Sequence, residues 1–322
     1  DIITNAYRSG YEIIFLQLQV HENSLYNPLL DGNNDIVYDP LKIALYWANL
    51  YDIEIHIWIN AYKIWSSKWP PPENHIFYKL DQYHKDWFAS DINGRIDCKF
   101  NYENNKAIIT SNDFSGVYLS PLNVKTNEYI KSIIEKLLAD YSNSSGRPLF
   151  QGIHLDYLRY KDSMYGYNFI GRKLFYDEYK IDPIYLNKGL YSNDSNYNYS
   201  MIELKDYWNK FKNSQITNLL EELNSLLLSY QGVKLSAAVK SDIQESKIRW
   251  NQDWELWLNN DLVDFIVVMN YYQDTESFSS NLWNIYKRFY EKNSINKIYI
   301  GINVINRNLG ISELKDIDLI KE

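Results

Sequence analysis

The chain has 322 residues, of which 45% are hydrophobic and 23% charged, a globular balance that excludes a disordered or fibrous protein. A net charge of −8 argues against nucleic acid as a partner, because phosphate binding calls for clustered cations. The single cysteine, Cys98, rules out an internal disulfide framework, and no apolar run approaches the ~20 residues that span a bilayer.

The opening DIITNAYRSGY has neither the basic flank nor the apolar stretch of a signal peptide, and the residues before Gly10 read as the tail of a helix. A β-branched and aromatic run from Glu12 to Gln19 then predicts a first strand. Asp39 and Pro40 fit the N-cap and first position of a helix through YDPLKIALYWANLYD. The second strand is expected over Ile53–Asn60. Helix 127–141 has Ile130, Ile133, Ile134, Leu137, Leu138 and Tyr141 at helical spacing. Further strands are predicted over Phe150–Tyr157, Val233–Lys240, Asp264–Tyr271 and Lys297–Asn303, with Gly232 stopping the helix NLLEELNSLLLSYQ.

Strands that are apolar almost throughout, separated by helical segments, imply a parallel sheet with helices outside. The fold class is therefore α/β, a TIM-type (β/α) barrel in a single domain over 1–322, with six strands visible and the first and last strands expected to be missing. Long insertions, about 61–118 and 158–200, follow the second and third visible strands and should wall the catalytic face.

Alternate residues of a parallel strand face the barrel interior, so the last inward residue sits at the mouth. In FQGIHLDY the inward set is Gly152, His154 and Asp156. In IEIHIWIN it is His56, Trp58 and Asn60. A buried Asp is rare without a partner or a task, so Asp156 is the leading catalytic carboxylate, the alternative being an ion pair with Arg159. Met269 with Tyr271, and Gly301 with Asn303, are the corresponding pairs on later strands. A glycoside-cleaving site needs a second carboxyl group, about 5 to 10 Å from the first. Asp242 and Glu245, close behind the fourth strand, are the candidates. Tyr and Trp, 30 and 10 residues, offer stackable faces with polar handles that suit sugars, although an AT-rich genome yields the same composition.

No GxGxxG, Walker loop, GxSxG or HExxH occurs, so no nucleotide cofactor and no metal is expected. The remaining chemistry is acid/base or carboxylate-nucleophile work at a barrel mouth.

The order of YEIIFLQLQ, SLYNP, YDPLKIALYWANLYDIEIHIWINAY, HKDWF, GIHLDYLRY and WELWLNNDLVDFIVVMNYY resembles the bacterial glycosyl-hydrolase-like barrel family that includes divisome-localised glycosidases. The resemblance covers nearly the whole chain. It implies a barrel acting on cell-envelope glycans, with denuded peptidoglycan strands as one substrate type, and so an envelope or extracellular location. The family's strand-end acid falls on Asp156, its H-x-W-x-N motif on His56, Trp58 and Asn60, and its M-x-Y on Met269 and Tyr271. Gln151, Asn23 and Gln19 depart from the family pattern, standing where Asp or Glu, Asp and Arg are usual. His154, Arg159, Asn303, Gln17 and Trp87 complete the expected substrate-binding set. The rival expectation is a glycan-binding or scaffolding barrel without catalysis that keeps the aromatic cleft of Trp58, Trp65, Trp69 and Trp87.

Overall fold

A computed structural model describes residues 2–18, 29–30, 36–67, 69–71, 75–101, 106–109, 115–189, 199–303, 305–306 and 313–314. Asn23, Gln19 and most of the Asn- and Tyr-rich stretch after Leu190 lie outside the described residues. The six expected strands form one sheet. They are β1 (Ile13–Gln17), β2 (Glu54–Asn60), β3 (Gly152–Asp156), β4 (Lys234–Lys240), β5 (Phe265–Met269) and β6 (Ile298–Gly301), hydrogen-bonded in that order and parallel throughout. Consecutive strands being neighbours, each joined through helix, is the winding of a (β/α) barrel.

The two faces of the sheet differ in chemistry. Ile55, Ile57 and Ile59 of β2, Ile153 and Leu155 of β3, Val239 of β4, and Ile266 and Val268 of β5 are fully buried on the helix side. There they meet the apolar stripe of helix Val124–Asp140 and of helix Met201–Leu227 in one continuous core. Helix Pro40–Leu50 starts as its sequence predicts. The Asp39 carboxylate accepts from the Lys42 amide at 2.9 Å, and its other oxygen accepts from the Tyr141 hydroxyl at 3.0 Å, tying two outer helices together.

The opposite face carries Phe15, His56, His154 and Phe265, and it curls inward. The Phe15 ring lies 6.3 Å from that of Phe265, although their strands are four steps apart in the sheet. A flat sheet would separate those strands by about 19 Å, at some 4.8 Å per step. The sheet is therefore a half-barrel, and its concave face forms the floor of a cleft.

Gly152 is required at the bottom of that cleft by close approach. A Cβ placed there would sit 2.2 Å from His56 Nδ1. The imidazole cannot retreat, because its Nε2–H donates to Glu54 at 3.0 Å while Phe15 and Phe265 flank it with centroids at 5.5 and 5.6 Å. Gly152→Ala should therefore destabilise by about 3 kcal/mol, the cost of overpacking a site that cannot yield. Urea unfolding measures it; an unchanged midpoint would mean that the His56 ring is free to move.

Candidate active site

Asp156 is the last residue of β3 and pairs in register with Asn60, the last residue of β2. Both therefore stand at the carboxyl ends of their strands, where parallel barrels place chemistry. The chain turns sharply next. Tyr157 takes a left-handed backbone, φ 50°, which a tyrosine holds only when its surroundings impose it. In that turn the Tyr157 amide donates to the Asp156 carboxylate at 2.6 Å, and the Asp156 carbonyl accepts from the Ala61 amide at 2.7 Å. The carboxylate and the backbone carbonyl of Asp156 are thus both held.

Burial raises the Asp156 carboxyl above the usual aspartate range, against the Tyr157 amide and the positive charges of Arg159, Lys63 and Lys240, which pull it down. A carboxyl that keeps its proton more tightly is suited to act as a general acid.

Three expected binding residues meet on the adjacent rim. The Asn60 carbonyl oxygen accepts from Gln17 Nε2 at 3.3 Å and from Trp58 Nε1 at 3.2 Å. Trp58 turns its edge to His154, with centroids 6.3 Å apart. His154 lies deeper, its Nδ1 bonded to Ser236 Oγ at 2.9 Å, and burial pushes it down to about 3. His56 is wholly buried below that layer, and burial lowers it too despite its Glu54 partner. Both imidazoles are neutral floor groups. Burial disfavours the imidazolium form of both, which makes them poor general acids.

Tyr271 lies two residues beyond β5, half-exposed, and the negative charge of Asp156 reaches it, adding to the burial that raises its phenol. It stands past the strand end and not within the strand as its alternation suggested. Asn303 likewise follows β6 by two residues. Trp87 packs its ring on His84 and Tyr129. Trp65 packs on His75 and gives its Nε1–H to the Trp69 carbonyl at 2.7 Å. Among the described residues, Trp58 is the one of these four tryptophans whose ring lies against a concave-face residue, His154.

The candidate second carboxylates are already engaged. Asp242 is the N-cap of helix Ile243–Arg249 and accepts from the Glu245 amide at 2.7 Å. Glu245 accepts from Arg249 at 2.8 Å, and its charge reaches Lys240 at the mouth. Arg159 does not pair with Asp156 as an ion pair; its guanidinium donates to the carbonyls of Tyr160 and Lys161 at 3.1 and 3.3 Å and lies 4.6 Å from the Trp250 ring.

The two insertions meet each other, and the first brings Lys63 up to Asp156. In the first, Lys63–Trp65 pairs antiparallel with Val117–Tyr118, and an isolated bridge joins Asp91 to Tyr165 of the second. Composition and alternation did not reveal Lys63 of the first insertion, Tyr157 just after β3 or Trp250 at the end of helix Ile243–Arg249, and all three border Asp156 or Arg159. Lys63 follows Asn60 by three residues, and that proximity to a strand end was its one signal. Among the described residues no group of three or more His, Cys, Asp or Glu could hold a metal, and no helix is long and apolar enough to cross a membrane.

Comparison with known proteins fits this geometry. No curated protein matches the chain. The fold resembles the glycoside hydrolase domain of PgaB (BpsB) from Bordetella bronchiseptica, with a TM-score of 0.64 and 13% identity over 99% of this chain and 81% of that one. The catalytic domain of a β-amylase from Paenibacillus polymyxa is also similar, with a TM-score of 0.49 and 13% identity over 83% of this chain and 71% of that one. At such identity the likeness to the first shows the fold. The model of the family described as glycosyl hydrolase-like 10 matches residues 75–316, which take in β3 to β6, Asp156, Asp242, Glu245 and Tyr271 but not β1 or β2, and the chain belongs to that family.

Proposed function

We propose that the protein hydrolyses glycosidic bonds of a cell-envelope glycan, denuded peptidoglycan strands among them, with Asp156 as the general acid. The observation that carries the reading is a single one: a strand-end carboxyl at the mouth of a half-barrel, with its carboxylate and its backbone carbonyl both hydrogen-bonded, and held above its usual range by burial. Asn60, Trp58 and Gln17 form a hydrogen-bonded rim for sugar hydroxyls, and Tyr271 offers an exposed ring and a hydroxyl beside the acid. Glu245, whose charge reaches Lys240, serves as the second carboxylate once it leaves Arg249; Asp242 is retained as the helix cap. A substrate of this kind is met in the cell envelope or outside the cell.

The experiment is digestion of purified denuded peptidoglycan strands and a polysaccharide panel with the wild type, Asp156→Asn and Glu245→Gln, read by mass spectrometry. New reducing ends with the wild type and at least about a hundredfold fewer with Asp156→Asn support the reading. A second reading, glycan binding without cleavage, draws on the Glu245–Arg249 pair, which occupies the partner that hydrolysis needs. Strands that bind but stay intact would favour it.

A further inference from the structure

We propose that the mouth beside Asp156 holds a subsite for the carboxylate of an acidic sugar, formed by Lys63, Arg159 and Lys240, so that the glycan accepted is an anionic one. This rests on reading the cleft as a glycan site and goes further by naming the chemical class of the substrate and the residues that select it.

The three cations come from separate parts of the chain and converge. Lys63 opens the short strand after β2, Arg159 follows β3 by three residues, and Lys240 ends β4. Two aromatic rings hold them in line. Lys63 Nζ is 4.4 Å from the centroid of Tyr157, and Arg159 Cζ is 5.1 Å from the same centroid. Arg159 Cζ is 4.6 Å from the Trp250 ring, and Lys240 Nζ is 4.9 Å from it. An aromatic face orients a cation without neutralising it.

Charge balance is what points to a ligand. Elsewhere in the fold Lys161, Arg172 and Arg249 each have a carboxylate partner within ion-pair reach. Among the described residues Lys63, Arg159 and Lys240 form no ion pair with a carboxylate, and the negative charge common to all three is Asp156. Burial favours the neutral form of that one group, and Glu245, which also acts on Lys240, is paired with Arg249, so in a chain with a net charge of −8 three cations converge at the cleft without a carboxylate partner of their own. Lys63 and Arg159 are buried, and burial with Arg159's charge brings the Lys63 ammonium down to about 8. Uncompensated cations out of water are costly, and an arriving carboxylate relieves that cost in a low-dielectric setting where the attraction is strong. A sugar hydroxyl does not. Arg159, with a planar fork, suits a carboxylate in particular, and the two lysines add point charges on either side.

The test compares two glycans that differ in this group alone: denuded peptidoglycan strands, and the same strands with their carboxylates chemically reduced to alcohols. Affinity is measured by calorimetry with Asp156→Asn, which leaves the strands uncut, and with Lys63→Met and Lys240→Met added to it. Native strands should bind about tenfold to a hundredfold tighter than reduced strands, the range expected for charge-assisted hydrogen bonds. Each Lys→Met change should shrink that preference, weakening native strands more than reduced ones. Equal binding of the two glycans would overturn the subsite and leave the glycan reading standing. A preference that survives in both Lys→Met variants would overturn it as well. Binding of neither glycan would overturn both readings, and a variant that loses both affinities together with its melting temperature shows a structural role for that lysine, against the proposal.

Discussion

Asp156→Asn should lower glycan cleavage by about 10²- to 10⁴-fold, the contribution of a positioned general acid. The same change should not weaken the fold at neutral pH. The sign follows from burial: the folded-state carboxyl is raised, so the stability linked to its proton is fully present below the unfolded value of 3.8 and is lost as pH rises through the folded value. Wherever the native carboxyl is ionised, burial leaves that charge poorly solvated, and an asparagine of the same shape carries none. Its melting temperature at pH 7 should match or exceed that of the wild type. Activity and stability thus move apart, which a structural carboxylate would not do; if both fall together, Asp156 holds the fold and is not the acid.

Lowering the pH from 7 to 5 should destabilise the protein by on the order of 4 kcal/mol through His154 and His75 alone. Burial pushes His154 down to about 3 and His75 down to about 4, against an unfolded value of 6.5. Unfolded imidazoles therefore take up protons across this window that the folded ones refuse. The stabilisation is complete above pH 6.5 and drains away as pH falls toward the folded values. His75 is held by its role in the chain, since Nδ1 accepts from the Phe77 amide at 3.1 Å to cap helix Ile76–Tyr83 and Nε2–H donates to the Ile64 carbonyl at 3.0 Å. Urea unfolding at pH 7, 6 and 5 measures the loss, and His154→Phe should reduce the slope by close to one proton. A flat profile between pH 7 and 5 would show that these imidazoles are solvated.

The sheet was legible because its signal is local and redundant. Runs such as IEIHIWIN and DFIVVMNY carry both β-branched propensity and a solid apolar face, and the observed strands fall inside the expected ranges with ends trimmed by one to three residues. Asp156, Asn60 and Trp58 were legible for a similar reason: period-two alternation fixes which residues share a face once the strand is known. Tyr271 illustrates where that rule stops, since the strand ends at Met269 and alternation says nothing of a residue beyond it.

What remained hidden depends on contacts between distant segments. That Gly152 must be glycine follows from the position of His56, 96 residues earlier, and no feature of GIHLDY announces it. Arg159 reads as a binding residue in the sequence, but Lys63, Tyr157, Trp250 and Lys240 read as surface charges and scattered aromatics; their alignment with it arises where both insertions, two strand ends and the segment after helix Ile243–Arg249 meet. Glu245 and Asp242 were chosen for proximity in sequence to a strand end. That proximity is also what places an acid at a helix start, where capping and an i,i+4 pair with Arg249 engage it.

The central claim, that Asp156 drives hydrolysis of a glycan at this mouth, is tested most directly by incubating wild type and Asp156→Asn with denuded peptidoglycan strands in heavy-oxygen water. The wild type should release fragments whose new reducing ends carry the heavy oxygen, and Asp156→Asn, equally folded, should release at least about a hundredfold fewer. Intact strands with the wild type, or labelled fragments produced equally by Asp156→Asn, would contradict it.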